Sequence, residues 1–580
     1  MPINTGTSTN TVAAHPPASA QTRAIAAFQS EDFDQAVALF SDLLTAEPEN
    51  PLPHAYLAFI CARQGLIEEA RAFISEAARL APAQADSFNA ALGETFLKAG
   101  NPLLSEEFLF AAIQGKPDLF AAYPALAKAM RQNGRMTEAI QLLQGAATIP
   151  SATQKTLQDL LLEWLSQQGD IEALVEFCGK HQPALQMLRL SLLPRTGYAP
   201  ERIRSAVRDI VSAAAMNYLP VSTDDRRLIV APAPHKPLAI AFLVSDFRRE
   251  QLSLRLEALL LHLPPERYIT AMLYNDPESG AHELAQRCSL INDHCIVSFP
   301  KSDAEILQSV DELGIQVLVD MDGLSARNRF SLFAAARVPC KLSWDDTALL
   351  RESGFTCIQG EALSDDHPLT FALPGMGELH NFADFAITPR PADEPPRFGC
   401  LCAAVHYNRD NWRLFAKLLA QTPASRLVIN LAELGEMAQA FISEIFAKAQ
   451  VAPERLEFIR AIDLESLATA WNRVDVGLAP LEGPGDMALP LGLWMEKPYL
   501  ALAGDAPWSR RPAAWLATLG LDDFIARTPD DLLTRAAHLF HAPNALRRTD
   551  LRQKMRALPG ASAQNFALDF ATRLEKTLSL

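Results

Sequence analysis

Residues 65–82 read GLIEEARAFISEAARLAP and residues 134–150 read GRMTEAIQLLQGAATIP. Counted from the leading glycine, the two stretches place alanine at Ala70 and Ala139, an aliphatic residue at Ile74 and Leu143, and alanine again at Ala77 and Ala146, and each closes on a proline, Pro82 and Pro150, at counts that differ by one. Between them the glycines Gly65, Gly100, Gly134 and Gly169 recur at intervals of 35, 34 and 35 residues. An earlier copy, Ala36, Phe40, Leu43 and Pro48, matches the first stretch at a shift of 34. The spacing has a physical cause. Small alanines let two antiparallel helices approach, apolar residues at helical spacing fill the seam, glycine makes the turn and proline ends the second helix.

This pattern resembles the tetratricopeptide repeat family, with four or five copies between about Thr22 and Cys178, the fifth weak. The alternative is an unrelated stack of helical hairpins. Either gives a superhelix whose concave groove suits a peptide or protein partner.

The rest of the 580 residues needs further cores, because single domains seldom exceed about 250 residues. With 49% hydrophobic and 21% charged residues the chain has an ordinary globular balance. Its formal net charge of -16 repels phosphate backbones and anionic lipid surfaces, which argues against nucleic acid as a partner. No apolar run approaches the roughly 20 residues that span a bilayer, so no membrane insertion is expected. The first twenty residues lack the charged and apolar regions of a secretory signal. Eight scattered cysteines, without a CxxC pair or zinc spacing, read as reduced and mostly buried, which points to the cytoplasm.

Past residues 185–216, which read as further helices broken at LPRTGY (193–198), a Pro- and Asp-rich stretch at 219–237 marks a change of period. Short β-type runs then alternate with amphipathic stretches: 238–245, 268–274, 315–321 and 340–344, then 398–403, 426–430, 456–459, 474–478 and 499–502. Such alternation implies parallel sheets covered on both faces, and residues 386–397 divide the series in two. The expected division is a disordered tail at 1–21, repeats at 22–180, a connector at 181–235, and Rossmann-like domains at 236–390 and 391–580. No GxGxxG or Walker motif supports a dinucleotide or P-loop reading.

Several segments are similar to the catalytic region of the protein O-GlcNAc transferases. They are LVSDF (243–247), IQVLVDMDG (315–323) with Arg329 and ARVP (336–339), Phe398-Gly399 with Trp412, VDVGL (474–478), LWMEKP (493–498), Ser509-Arg510 and LGL (519–521). The resemblance implies an α plus α/β chain, in which a tetratricopeptide superhelix precedes a GT-B module of two Rossmann-like domains. It also implies metal-independent, inverting transfer of a sugar from a nucleotide donor to Ser or Thr of a protein held by the repeats. No metal and no cofactor are expected.

The signature elements of that family are altered. Arg248-Arg249-Glu250 stands where an imidazole is found, and Asp345-Asp346-Thr347-Ala348-Leu349 replaces a Gly-rich loop. His406 replaces the diphosphate lysine, and Gly485-Asp486-Met487-Ala488 replaces a Gly-His-Thr-Thr turn. Glu250 thus becomes the candidate general base, or a solvated residue of a first helical turn. His406, Asp486, Met487, Ser509, Arg510 and Trp344 become the candidate donor-binding residues. Arg510 either holds phosphate oxygens through its planar fork or is a surface arginine. Trp344 either stacks on a base or packs in the core. Asp320 and Asp322 share one strand face without a third metal ligand in view. An altered diphosphate site suits a UDP- or a CMP-linked donor, the latter with one phosphate. A resemblance to bacterial flagellin glycosyltransferases makes flagellin a candidate acceptor and a nonulosonic acid a candidate sugar. The alternative is a catalytically inactive scaffold or partner-binding protein.

Overall fold

The structure, a computed structural model, describes residues 19–180, 185–215, 237–245, 247, 250–275, 283–299, 301–325, 328–344, 349–359, 370–372, 379, 382, 384–388, 390–391, 394–432, 434–482, 485–541, 550–558 and 561–578. It divides into two compact units, Met1–Trp164 and Leu165–Leu580. The boundary between them falls inside the fifth helical pair, ahead of the expected end of the repeats at residue 180.

Five helical pairs follow one another: Ala20–Gln29 with Phe33–Ala46, Pro51–Arg63 with Ile67–Leu80, Ala85–Lys98 with Pro102–Gly115, Tyr123–Gln132 with Met136–Ala147, and Gln154–Gln168 with Ile171–Lys180. The alanines and aliphatics of the period are buried, among them Ala36, Phe40, Ala70, Ile74, Ala77, Ala139, Leu143 and Ala146. Each recurrent glycine has a left-handed backbone, with φ of 76° at Gly65 and Gly100, 80° at Gly134 and 71° at Gly169. In the first pair the same turn position holds Glu31, at φ 60°, which is why glycine spacing alone finds four turns and misses the first. A side chain with a Cβ costs about 1 kcal/mol in that region. Glu31→Gly should therefore raise the unfolding midpoint of the repeats, by about 0.5–1 kcal/mol net. The ion pair with Arg63 that it removes is largely exposed and worth little.

The second unit holds two wholly parallel sheets. The first is built from β1 (Leu238–Val244), β2 (Tyr268–Tyr274), β3 (His294–Val297), β4 (Val317–Asp320), β5 (Cys340–Ser343), β6 (Thr356–Gln359) and β7 (Thr370–Ala372), in the order β3-β2-β1-β4-β5-β6-β7. The second comprises β8 (Arg397–Cys400), β9 (Arg426–Asn430), β10 (Leu456–Ile459), β11 (Val476–Leu478), β12 (Tyr499–Leu502) and β13 (Ile525–Ala526), in the order β10-β9-β8-β11-β12-β13. Both orders are doubly wound, with the direction of winding reversing between β1 and β4 and between β8 and β11. Every residue of β1 and β4 is buried, as the continuous apolar runs require.

The final helix, Ala563–Leu578, does not stay with the second sheet. It packs on the helix Glu250–His262, and its Phe566 and Phe570 lie 6.3 and 5.7 Å, ring centre to ring centre, from Trp344 and Phe371 of the first. Glu575 accepts hydrogen bonds from Arg267 and from the Tyr268 hydroxyl. The expected C-terminal domain at 391–580 thus ends in a segment that completes the preceding domain. The tail at 1–18, the stretch at 216–236, Arg248-Arg249 and residues 345–348 lie outside the described residues.

Candidate functional site

In doubly wound sheets, ligands bind beyond the carboxyl ends of the strands, where the winding reverses. In the second sheet that place is framed by the segment after β8 and the segment after β11, and it brings together two of the expected residues. His406 closes a short 3-10 turn (Ala404–His406) after β8, and Asp486 lies beyond β11. The His406 Nε2 stands 3.5 Å from Asp486 Oδ2. The two segments are tied by further bonds: the buried Tyr407 hydroxyl donates to Leu478 O at 2.9 Å, and Leu481 N–H donates to Asn411 Oδ1 at 2.9 Å.

Asp486 does more than face His406. Its Oδ2 accepts from Ala403 N–H at 2.8 Å and its Oδ1 from Ala488 N–H at 2.9 Å. Burial raises its pKa, and these amides, with the charge of Arg195, offset part of that rise. Gly485, at φ 70°, makes the turn into Asp486, and a Cβ there would come within 2.6 Å of Leu489. Met487 is buried in the hydrophobic core, where it can support the turn but presents little surface to a ligand.

Beyond β12, the 3-10 turn Pro507–Ser509 carries Ser509, which is buried and donates to Ala506 O at 2.9 Å. Arg510 is exposed, and its Nη2 donates to Asp505 O at 2.5 Å. Trp344 is not brought to this place. It lies in the core, 3% exposed, against Phe566 and beneath the Arg255 guanidinium, which favours packing over stacking on a base. Glu250 opens the helix Glu250–His262 after β1, and its side chain is outside the described residues.

Asp320 and Asp322 brace the reversal point of the first sheet. Asp320 accepts from Asp322 N–H, Gly323 N–H and the Ser343 hydroxyl, and Asp322 accepts from Ser245 N–H. Among the described residues no group of three or more His, Cys, Asp or Glu is placed to hold a metal ion.

Sequence reasoning missed the connector's part in this site. Asn408 Oδ1 caps the helix Arg409–Gln421, while Asn408 Nδ2 donates to Arg195 O at 3.2 Å. Arg409 Nε lies 3.1 Å from Asp170 Oδ2, and Asp170 is 3% exposed. Gly197 N–H donates to Glu172 at 3.3 Å. The only sequence signal was the helix break LPRTGY, which marks a turn but not its partner.

Glu482, four residues before Asp486, is a second carboxyl in this neighbourhood. Burial, with the Asp410 charge adding to it, pushes it up to about 7. Between the ordinary value of about 4.3 and this folded value the folded chain keeps a proton that the unfolded chain releases. The associated stability is present below about pH 4.3 and is lost as pH rises through about 7. Glu482→Gln should therefore stabilise the molecule at pH 8 by about 1–3 kcal/mol and leave it unchanged at pH 4, as read from thermal midpoints at the two pH values.

Residues 27–93 match the model of the tetratricopeptide repeat. A protein of Solanum lycopersicum described as a probable UDP-N-acetylglucosamine--peptide N-acetylglucosaminyltransferase SPINDLY is 20% identical over 402 residues, covering 62% of this chain and 42% of its own length. The similarly described protein of Petunia hybrida is 21% identical over 294 residues, covering 47% and 31%. The chain thus spans less than half the length of these curated relatives. Among solved structures, an O-GlcNAc transferase mutant of Thermobaculum terrenum superposes with a TM-score of 0.60 at 20% identity, covering 91% of this chain and 97% of that one. The repeats and the two sheets together have the fold of an O-GlcNAc transferase-like GT-B module behind a tetratricopeptide array. Among the described residues no helix is long and apolar enough to cross a membrane.

Proposed function

We propose that the chain is a cytoplasmic protein glycosyltransferase that moves a sugar from a nucleotide donor to a Ser or Thr hydroxyl of a polypeptide recruited by the helical repeats. The observation that carries this reading is the joining of a tetratricopeptide array to two doubly wound sheets, with polar side chains converging where the second sheet reverses. The donor's phosphate lies beside His406, the Met487 turn, Ser509 and Arg510. An incoming hydroxyl approaches from the first sheet, where Glu250 takes its proton as the sugar–phosphate bond breaks, with inversion and without metal. The Asp486 carboxylate disfavours a second phosphate charge there, which fits a CMP-linked donor better than a UDP-linked one. A nonulosonic acid as sugar and flagellin as acceptor are compatible with that choice.

A second reading has one observation in its favour. Asp486 already occupies the amides of Ala403 and Ala488, as it would in a module that has given up donor binding and serves as a partner-binding scaffold. A thermal-shift series on the full chain with UDP, CMP and UDP-GlcNAc separates the two. A nucleotide held at a hundred times its dissociation constant stabilises a fold by about 2.7 kcal/mol. Mass analysis of a copurified protein, after incubation with the donor that responds, should then show a sugar-sized increase that fails with Arg510→Ala. No response to any nucleotide, and no mass increase, would establish the scaffold.

A further inference from the structure

We infer that the buried pair Asn408 and Asn411 are positioning residues for the donor phosphate, and that through them the connector turn at 193–198 sets the geometry of the nucleotide site; this rests on the reading of the second sheet as that site. Each end of the pair grips a different segment. Asn408 Oδ1 accepts from the N–H groups of Asp410 and Asn411, at 3.0 Å each, and from Asn411 Nδ2 at 2.5 Å. Asn408 Nδ2 donates to Arg195 O at 3.2 Å, and Asn411 Oδ1 accepts from Leu481 N–H at 2.9 Å. The two residues are 1% and 0% exposed. One unbroken chain of hydrogen bonds thus runs from the connector turn to the segment after β11. It starts two residues beyond His406 and ends five residues before Asp486.

Helix capping alone does not account for this pair. Serine or aspartate caps a helix as well as asparagine does, but only an amide carries a strong donor beside the capping oxygen, and here that donor goes to the connector. Both amide orientations are forced. A flip at Asn408 would set its NH2 against three donors, and a flip at Asn411 would set its NH2 against Leu481 N–H. The same helix start holds the segment after β11 a second time, through the Tyr407 hydroxyl on Leu478 O, and Asp486 in turn holds Ala403 N–H. The stretches after β8 and after β11 are therefore laced on both sides of the place where His406 and Asp486 meet. The turn at the far end is itself firmly set: Thr196 is buried and donates to Leu193 O at 2.8 Å, and Gly197 N–H donates to Glu172. A shift of that turn passes along the two amides to Leu481 and changes how the His406 and Asp486 segments receive a phosphate.

The test uses the full chain and two pairs of probes, UDP with uridine and CMP with cytidine, titrated calorimetrically into wild type, Asn408→Ser, Asn411→Ala and the double variant. Wild type should bind at least one nucleotide. Asn408→Ser keeps a helix cap and loses the donor to Arg195 O, so it should weaken that nucleotide by about fivefold or more while its nucleoside stays within about twofold. Asn411→Ala should weaken the nucleotide at least as far, and the double variant no further, because both side chains act through one chain of bonds. Melting without ligand reports on the fold. If Asn411→Ala unfolds, Asn411→Asp takes its place, since it keeps an acceptor for Leu481 N–H. Three results overturn the positioning role and leave the donor site standing: Asn408→Ser that melts lower yet binds the nucleotide as wild type does, equal loss of nucleotide and nucleoside, or additive losses in the double variant. Wild type that binds none of the four probes overturns the donor site, and the positioning role with it.

Discussion

Replacing Arg409 with methionine should lower the stability of the second unit by about 2–4 kcal/mol, one of the larger losses any single side chain here can produce. Its partner Asp170 is 3% exposed, and removal of the guanidinium leaves that carboxylate buried without its counter-charge. The lower part of the range applies if water follows, because Arg409 itself is 43% exposed. Asp170 Oδ1 also accepts from Ala173 N–H at the start of the helix Ile171–Lys180, so Asp170→Ala would mix two losses. Asp170→Asn keeps an acceptor for that amide. The double variant Arg409→Met with Asp170→Asn should therefore recover a large part of the loss, giving a coupling of about 1–3 kcal/mol in a double-mutant cycle of denaturation midpoints. Additive losses would mean that the two groups do not depend on each other.

Trp471→Ala should cost about 3–5 kcal/mol, the range for truncating a buried tryptophan. The indole is 1% exposed and fills the space left by two glycines. A Cβ at Gly477 would lie 2.5 Å from it, and one at Gly492 only 2.4 Å. Its Nε1 donates to Ala488 O at 2.9 Å, so the ring also fixes the segment that begins at Asp486. A sharper form of the prediction concerns Gly492, inside the helix Ala488–Trp494. In the wild-type background Gly492→Ala should destabilise by more than about 1 kcal/mol, because the ring cannot yield. In the Trp471→Ala background the same change should become neutral or stabilising by about 1 kcal/mol, since alanine then shows its ordinary helical preference. A thermal-melt comparison of the four proteins reads the change of sign directly.

The repeats were legible because their turns need a left-handed residue and four of the five used glycine. Glu31 hid the remaining turn, since the backbone takes the same shape without the same letter. The central strands were legible as apolar runs. Two of the edge strands were not: β3 (HCIV) is largely exposed, and β13 has two residues, so neither carries a pattern, whereas the edge strand β10 was read at 456–459. Within the site, His406 and Asp486 could be nominated from family resemblance, but their meeting across 80 positions is a property of the doubly wound topology. Nothing local in Leu193-Pro194-Arg195 says that its carbonyl seats on Asn408, 213 residues later. Trp344 shows the converse limit, because an aromatic residue at a strand end reads alike whether it faces a ligand or a distant helix.

The return of the helix Ala563–Leu578 to the first sheet has a consequence for biosynthesis. On the ribosome, β1 to β7 emerge well before the residues that cover Trp344 and Phe371, so this half of the module must wait, with those aromatic faces unshielded, until the whole second sheet and the helix beyond it have been made. Its assembly is thereby coupled to synthesis of the other half, and a message cut short upstream of residue 563 would yield a product marked by bare aromatic surface for chaperones and proteases.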